Sequence, residues 1–247
     1  MGPEELAATV RLLWRRERPD DVTAPAKPGP SKRLDVGQVV AAAIDLADRR
    51  GLAGVSIRAL ATGLGIGAMS VYTYVTSRDQ LIALMVDETL GLVDLPAHDA
   101  DLSARLAAVA GAVYRVHRRH PWLAEASGLR PGLGPRSWAL YEWQLEAVRP
   151  LGVDDVELDQ AVSLITGFAI NAAALASASR GMSQDDLDWW ATVAPVLGEL
   201  TDASDYPLAR RVGTAAGQAY AAAGDTAREY EFGLTAIIRG LIELSRG

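Results

Sequence analysis

Between Ser56 and Val75 the sequence SIRALATGLGIGAMSVYTYV sets a short helical run, a glycine and a second short helical run in immediate succession. Ser56 is a good N-cap residue, and Leu60, Ala61 and Leu64 recur at helical spacing behind it. Gly65 accepts a positive φ without steric cost, so a tight turn at Leu64-Gly65-Ile66 is favoured. Ala61 is small enough for a close helix crossing, and Ile57, Leu60, Leu64, Ile66 and Val71 form an apolar seam. Two helices this short cannot bury a core alone. The helix before them, about Asp35 to Arg50, brings Val36, Val39, Val40, Ala43, Ile44 and Ala47 on one face and stops at Gly51. The three together match the helix-turn-helix plan, with a recognition helix over about Ala68 to Val75. A fourth helix starts at Ser77, carries Asp79 in its first turn and runs to about Leu92.

The rest of the chain reads as helix too, with no alternating strand pattern. Beyond Pro96 the expected helices span 101–119, 135–150, 154–180, 184–200, 206–222 and 225–245, separated by proline and glycine clusters. Residues 3–18 form an amphipathic helix with Leu6, Val10, Leu13 and Trp14 on one stripe, and four prolines make 19–31 a linker. The fold class is therefore all-α. An N-terminal helix and linker (1–31) precede a three-helix DNA-binding domain with the helix-turn-helix (32–78). A larger helical bundle (79–247) follows.

Charge distribution agrees with a nucleic-acid partner although the chain nets −7. From Pro30 to Arg78 six basic residues (Lys32, Arg33, Arg49, Arg50, Arg58, Arg78) face three acidic ones (Asp35, Asp45, Asp48), a local +3. Lys32 and Arg33 resemble a basic arm for the minor groove or the phosphates. The absence of cysteine excludes disulfides and thiolate chemistry, and with an acidic, amphipathic start it suits a cytoplasmic location. The apolar stretch Val162–Ala178 carries Ser163, Thr166, Asn171 and Ser177 and reads as a buried helix, not a membrane span. An enzyme finds little here. His117 and His120 share i,i+3 spacing but are separated by two arginines, and there is neither a phosphate-cradling glycine loop nor a nucleophile elbow. No catalytic residue, metal or cofactor is expected.

The run Val55–Leu84, VSIRALATGLGIGAMSVYTYVTSRDQLIAL, resembles the DNA-binding region of the tetracycline-repressor (TetR) family. The shared signature includes the aromatic pair Tyr72 and Tyr74, the turn after them, and a basic residue opening the next helix. The resemblance implies that Arg58, Ala68, Met69 and Ser70 reach bases. Ser56, Tyr72, Thr73, Tyr74 and Arg78, with the helix N-terminus at Ser77, would hold phosphates of double-stranded operator DNA. Gly128-Leu129-Arg130-Pro131 and Glu142-Trp143-Gln144 resemble a family loop that couples inducer to DNA binding and the helix after it. Phe232-Gly233-Leu234 through Leu241 resembles the family's last helix. That likeness implies a homodimer interface at Phe232, Ile237, Ile238 and Leu241, partnered by the helix over about 156–178. The alternative is an internal bundle helix.

Aromatic residues cluster in the bundle, which suits a small-molecule site. The candidate ligand-binding residues are Tyr114, His117, Arg130, Trp138, Tyr141, Gln144, Phe168 and Asn171. Asn171 lies in the apolar run LITGFAINAAALA, where a buried amide needs a hydrogen-bond partner, either a ligand or another helix or subunit. In the family's tetracycline-responsive founder a histidine just ahead of the Arg-Pro pair contacts inducer-bound magnesium; Ala126 falls at that position here. The expected function is a repressor released from a pseudo-palindromic operator by an apolar or aromatic ligand. The alternatives are a regulator answering to a protein partner or to no effector, and, further off, a helical enzyme.

Overall fold

The computed structural model describes residues 2–18, 34–95, 97, 100–127, 132–180, 184–201, 205–220 and 224–244. Among these are twelve α-helices and no strand: α1 (Pro3–Leu13), α2 (Val36–Arg50), α3 (Ile57–Leu64), α4 (Ala68–Val71), α5 (Arg78–Leu90), α6 (Leu102–Arg119), α7 (Trp122–Ser127), α8 (Pro135–Val148), α9 (Asp155–Arg180), α10 (Gln184–Leu200), α11 (Pro207–Tyr220) and α12 (Thr226–Leu244). The linker, with Lys32 and Arg33, falls outside the described residues. Three expectations change. The first helix ends at Leu13, with turns over 14–17, and so is shorter than the expected 3–18. The recognition helix is a single turn, followed by tight turns through Tyr74. The proline- and glycine-rich stretch after α6 contains a short helix, α7, which periodicity does not announce.

Local chemistry sets the helix ends near the binding head. Asp35 and Gln38 form a reciprocal capping box at α2: the Gln38 N–H donates to Asp35 Oδ1 at 2.8 Å and the Asp35 N–H to Gln38 Oε1 at 2.9 Å. Ser56 and Ser77 cap α3 and α5 by accepting from the Ala59 and Gln80 N–H groups, each at 3.2 Å.

Apolar burial divides into two cores. The first gathers Val39, Val40 and Ala43 of α2, Leu60 and Ala61 of α3, Val71 and Val75, and Leu81, Leu84 and Met85 of α5. It also takes Leu13 from the end of α1, and Val116, Trp122 and Leu123 from the α6–α7 corner. The second is the bundle core, built from α6, α8, α9 and α12 around Leu106, Val109, Val113, Ile165 and Ala169. Leu90 and Val93, at and just beyond the end of α5, pack against this core, so α5 belongs to both. The cores are also joined by a polar node. Asp48 on α2 accepts from His120 Nδ1 at 2.7 Å and from Trp122 Nε1 at 2.8 Å, with both rings buried. Nδ1 therefore carries the proton, because the carboxylate can only accept.

Helix α9 runs 26 residues, and the stretch Asp155–Ser179 is long and apolar enough to cross a membrane. One face packs on α6 and α12, as expected of a core helix. Its other face is exposed and still apolar at Val156, Leu164 and Leu175.

Candidate nucleic-acid interface and bundle surfaces

The reading face begins at Gly65. Its φ of 66° and ψ of 29° place it in the left-handed region, where glycine is favoured. The Ile66 N–H donates to the Ala61 carbonyl at 3.0 Å and the Gly65 N–H to that of Thr62 at 3.3 Å, closing α3 with a Schellman pair of bonds. The chain then turns sharply into α4. Val71 is fully buried, which fixes the opposite side of that single turn outward: Met69 is 78% exposed, and Ser70 lies exposed beside it. Arg58 projects from the exposed side of α3, and Tyr72 is 46% exposed. A methionine this open on a short, well-packed helix has no packing role.

Several assigned residues act within the fold. Ala68 is half-buried against the head core and supports α4 instead of leading its outer face. Tyr74 is half-buried against the same core. Thr73 Oγ1 donates to the Ser70 carbonyl at 2.7 Å. Arg78 departs furthest from expectation. Its Nε donates to the Val55 carbonyl at 3.1 Å and its Nη2 to that of Leu52 at 2.9 Å, tying the start of α5 to the segment before α3. Two of its donor groups are thus committed to the backbone.

The ligand candidates do not form one group. Tyr114 and Phe168 are brought together by Tyr230, which the sequence reading missed. Tyr114 and Tyr230 stack at 4.3 Å between centroids, and Phe168 and Tyr230 at 5.8 Å. Arg118 Nη1 donates to the Tyr114 hydroxyl at 2.9 Å. Gly233 permits the column, because a Cβ there would stand 2.5 Å from Phe168 Cζ. The Tyr141 hydroxyl donates to Asp159 Oδ1 at 2.7 Å, and this acceptor pushes the Tyr141 pKa up to about 12. His117 and Gln144 are the buried polar members. His117 Nδ1 donates to the Val113 carbonyl at 2.9 Å, its Nε2 is buried without a partner, and burial lowers its pKa. Trp138 is 61% exposed, which does not suit an interior ring. Arg130 lies outside the described residues. Two open surface grooves, one along α11 and one along α1, involve none of these side chains.

Asn171 is corrected by helical phase. Ala161, Ile165, Ala169, Ala172 and Ala176 face the bundle, which puts Leu164, Gly167, Asn171 and Leu175 together on the exposed stripe. The same logic splits the last helix. Ile238 and Leu241 are buried in the bundle core and Ile237 is half-buried against it, whereas Phe232, Ala236, Arg239 and Gly240 are exposed. Phe232 alone of the four assigned interface residues stands open. Helices α9 and α12 pack side by side.

A family model described as "Tetracyclin repressor-like, C-terminal domain" matches residues 95–244. The HTH-type transcriptional repressor DrrR1 of Streptomyces coeruleorubidus is 35% identical over 213 residues, 84% of this chain and 77% of that protein. The chain belongs to the TetR family. Among solved structures, ActR of Streptomyces coelicolor in complex with actinorhodin matches with a TM-score of 0.73 and 25% identity, over 86% of this chain and 97% of that one. BioQ with its double-stranded DNA operator shares the fold at a TM-score of 0.59 and 18% identity, over 85% and 99%.

This TetR-family chain is a helix-turn-helix transcriptional regulator, and the family match begins beyond α5, where the bundle starts. The sequence reading missed three groups that bear on its working parts. One is the Asp48–His120–Trp122 node. Another is the seam where Asp87 Oδ1 accepts from Ser137 N–H and Oγ–H, both at 2.9 Å, and Glu88 meets Arg136 at 3.3 Å. Tyr230 is the third. All depend on pairings across long sequence separations, for which no local spacing is diagnostic.

Proposed function

We propose that this TetR-family regulator is a homodimeric repressor that leaves a pseudo-palindromic operator when its bundle takes up an apolar or aromatic small molecule. The carrying observation is that α5 contributes buried side chains to the head core while its far end packs against the bundle core. A ligand that displaces the bundle end of α5 necessarily tilts the head. In a dimer that tilt changes the spacing of the two recognition helices, which must match successive major-groove faces. Arg58, Met69 and Ser70 read bases, and Tyr72 with the N-terminus of α5 holds phosphate. The functional division is a linker-bearing N-terminus (1–31), a head (32–78) and a bundle (79–247), with α5 as the shared lever.

Support for the dimer comes from the exposed stripe of Val156, Leu164 and Leu175 on α9, beside Phe232 on α12. Gly167 and Gly240 have open space where a Cβ would point, which allows another helix to approach closely. Asn171 then serves as a hydrogen-bonding group across the interface. Support for an aromatic ligand comes from the Tyr114–Tyr230–Phe168 column, the buried acceptor at His117 Nε2, and the actinorhodin complex of ActR. Magnesium is not required, since Ala126 offers only a methyl group where a metal-contacting histidine would be needed.

The test is operator displacement. A labelled fragment of the regulator's own upstream DNA is titrated with protein while planar aromatic compounds, actinorhodin first, are added with and without EDTA. An inducer should weaken operator binding about 100-fold, and by linkage operator should weaken its binding by the same factor. A compound that binds equally well with and without operator is not the effector. Release abolished by EDTA would overturn the metal-free reading.

A further inference from the structure

We infer that α1 is a strap lying along α5 that couples the loop ahead of α8 to the turn after the recognition helix, giving the head a further connection to the bundle beside α5 and the Asp48 node. The strap is anchored over residues 9–16: at its lower end Thr9, fully buried, accepts from Gln80 Nε2 at 3.2 Å. Gln80 Oε1 in turn accepts from the backbone N–H of Thr76 at 2.8 Å and from its hydroxyl at 3.3 Å. Thr76 lies in the turn that links the recognition segment to α5. At the upper end, Trp14 Nε1 donates to the Leu133 carbonyl at 2.9 Å, just ahead of α8. Two residues on, Arg16 pairs with Glu88 at 3.5 Å, and Glu88 holds Arg136 in the first turn of α8. Between the two ends Leu13 is 3% exposed in the head core, so α1 cannot slide or pivot freely.

The loop that α1 grips is held tightly on its other side. Asp87 of α5 receives both bonds from Ser137, and Gly134 makes room for it, since a Cβ there would stand 2.2 Å from Asp87 Cγ. A shift of the first turn of α8 therefore pulls on α5 through Asp87 and on α1 through Trp14 together. Thr9 and Trp14 stand five residues apart, about 7 Å along the helix axis, and their side chains extend that reach over the roughly two turns of α5 between Gln80 and Asp87. The strap goes beyond the proposed function, since it concerns how the bundle and head are mechanically joined whatever the effector is.

Amide hydrogen exchange on the full chain, without DNA or ligand, tests it. Trp14→Phe keeps an aromatic ring and removes only the indole donor. It should speed exchange at the Ser137 amide and also at the distant Thr76 amide, each about five-fold, the factor that ~1 kcal/mol for one hydrogen bond implies. Thr9→Val, which keeps shape and removes the hydroxyl, should likewise speed exchange at Ser137 as well as Thr76. Should Trp14→Phe fail to fold, the half-exposed Arg16→Gln stands in, with an expected rise of about two-fold at Thr76. Variants that change only the amides nearest to them would overturn the strap. Neither operator nor effector enters the readout, so that result would leave the proposed function standing.

Discussion

The head and the bundle both expose large apolar side chains, but for different reasons. In the head the core is closed: α2 and α3 are met by α1, α4, α5 and the α6–α7 corner, and among the described residues from α2 to the turn after α4 the exposed large apolar side chains are Met69 and Tyr72. In the bundle an apolar stripe remains open across α9 and α12, at Val156, Leu164, Leu175 and Phe232. Two isolated side chains on one turn suit a ligand with grooves. A continuous stripe beside side-chain-free glycines suits another helix. Exposed apolar area acquires meaning from its arrangement more than from its amount.

If the head core is closed, deleting a core side chain should cost stability while deleting its exposed counterpart should not. Leu60→Ala, at a position 1% exposed, should lower unfolding stability by about 3 kcal/mol in a denaturant titration. Met69→Ala should leave stability within about 0.5 kcal/mol of the parent and lower operator affinity instead. Equal stability losses in both variants would erase the distinction drawn within the head.

If the bundle face is incomplete by itself, charging it should break assembly without unfolding the protomer. Leu164→Glu combined with Phe232→Glu should give monomers by light scattering, with operator binding weakened about 100-fold and helical content retained. Ile238→Glu, by contrast, should unfold the bundle, because that side chain is buried within its own chain. A double variant that stays dimeric would place the interface elsewhere.

The head–bundle boundary offers a smaller, pH-dependent contrast. Burial lowers the His117 pKa from its ordinary 6.5, so the folded protein disfavours the protonated ring. Its stabilising effect is complete above pH 6.5 and is lost as pH falls toward the lower folded pKa, at a rate of at most about 1.4 kcal/mol per pH unit. Thermal melts between pH 7.5 and pH 5 should show this decline, and His117→Gln should flatten it. A slope unaffected by the substitution would assign the titration to another group.

Much of the head was legible because its signals are local. Ser56, Gly65 and Ser77 each act on backbone groups within a few residues, so spacing alone announces them. The structural role of Arg78 was not legible for the opposite reason: its backbone partners, the Val55 and Leu52 carbonyls, lie 23 and 26 residues earlier. The role of Trp122 was not legible because its acceptor is 74 residues away on α2. In the bundle the helices themselves were legible but their orientation was not. Both faces of α9 are apolar, so periodicity does not say whether Asn171 turns inward or outward. Ile238 and Leu241 look like interface residues for the same reason.

The central claim, that two protomers read one operator through α3 and α4, is tested most directly by footprinting and stoichiometry on the regulator's own upstream DNA. The wild-type chain should protect a pseudo-palindrome with one dimer per site. Arg58→Ala should relax preference at one position in each half-site, whereas Tyr72→Phe should weaken all sequences alike. Protection of a single half-site by one protomer, or an Arg58→Ala variant with unaltered base preference, would contradict the account.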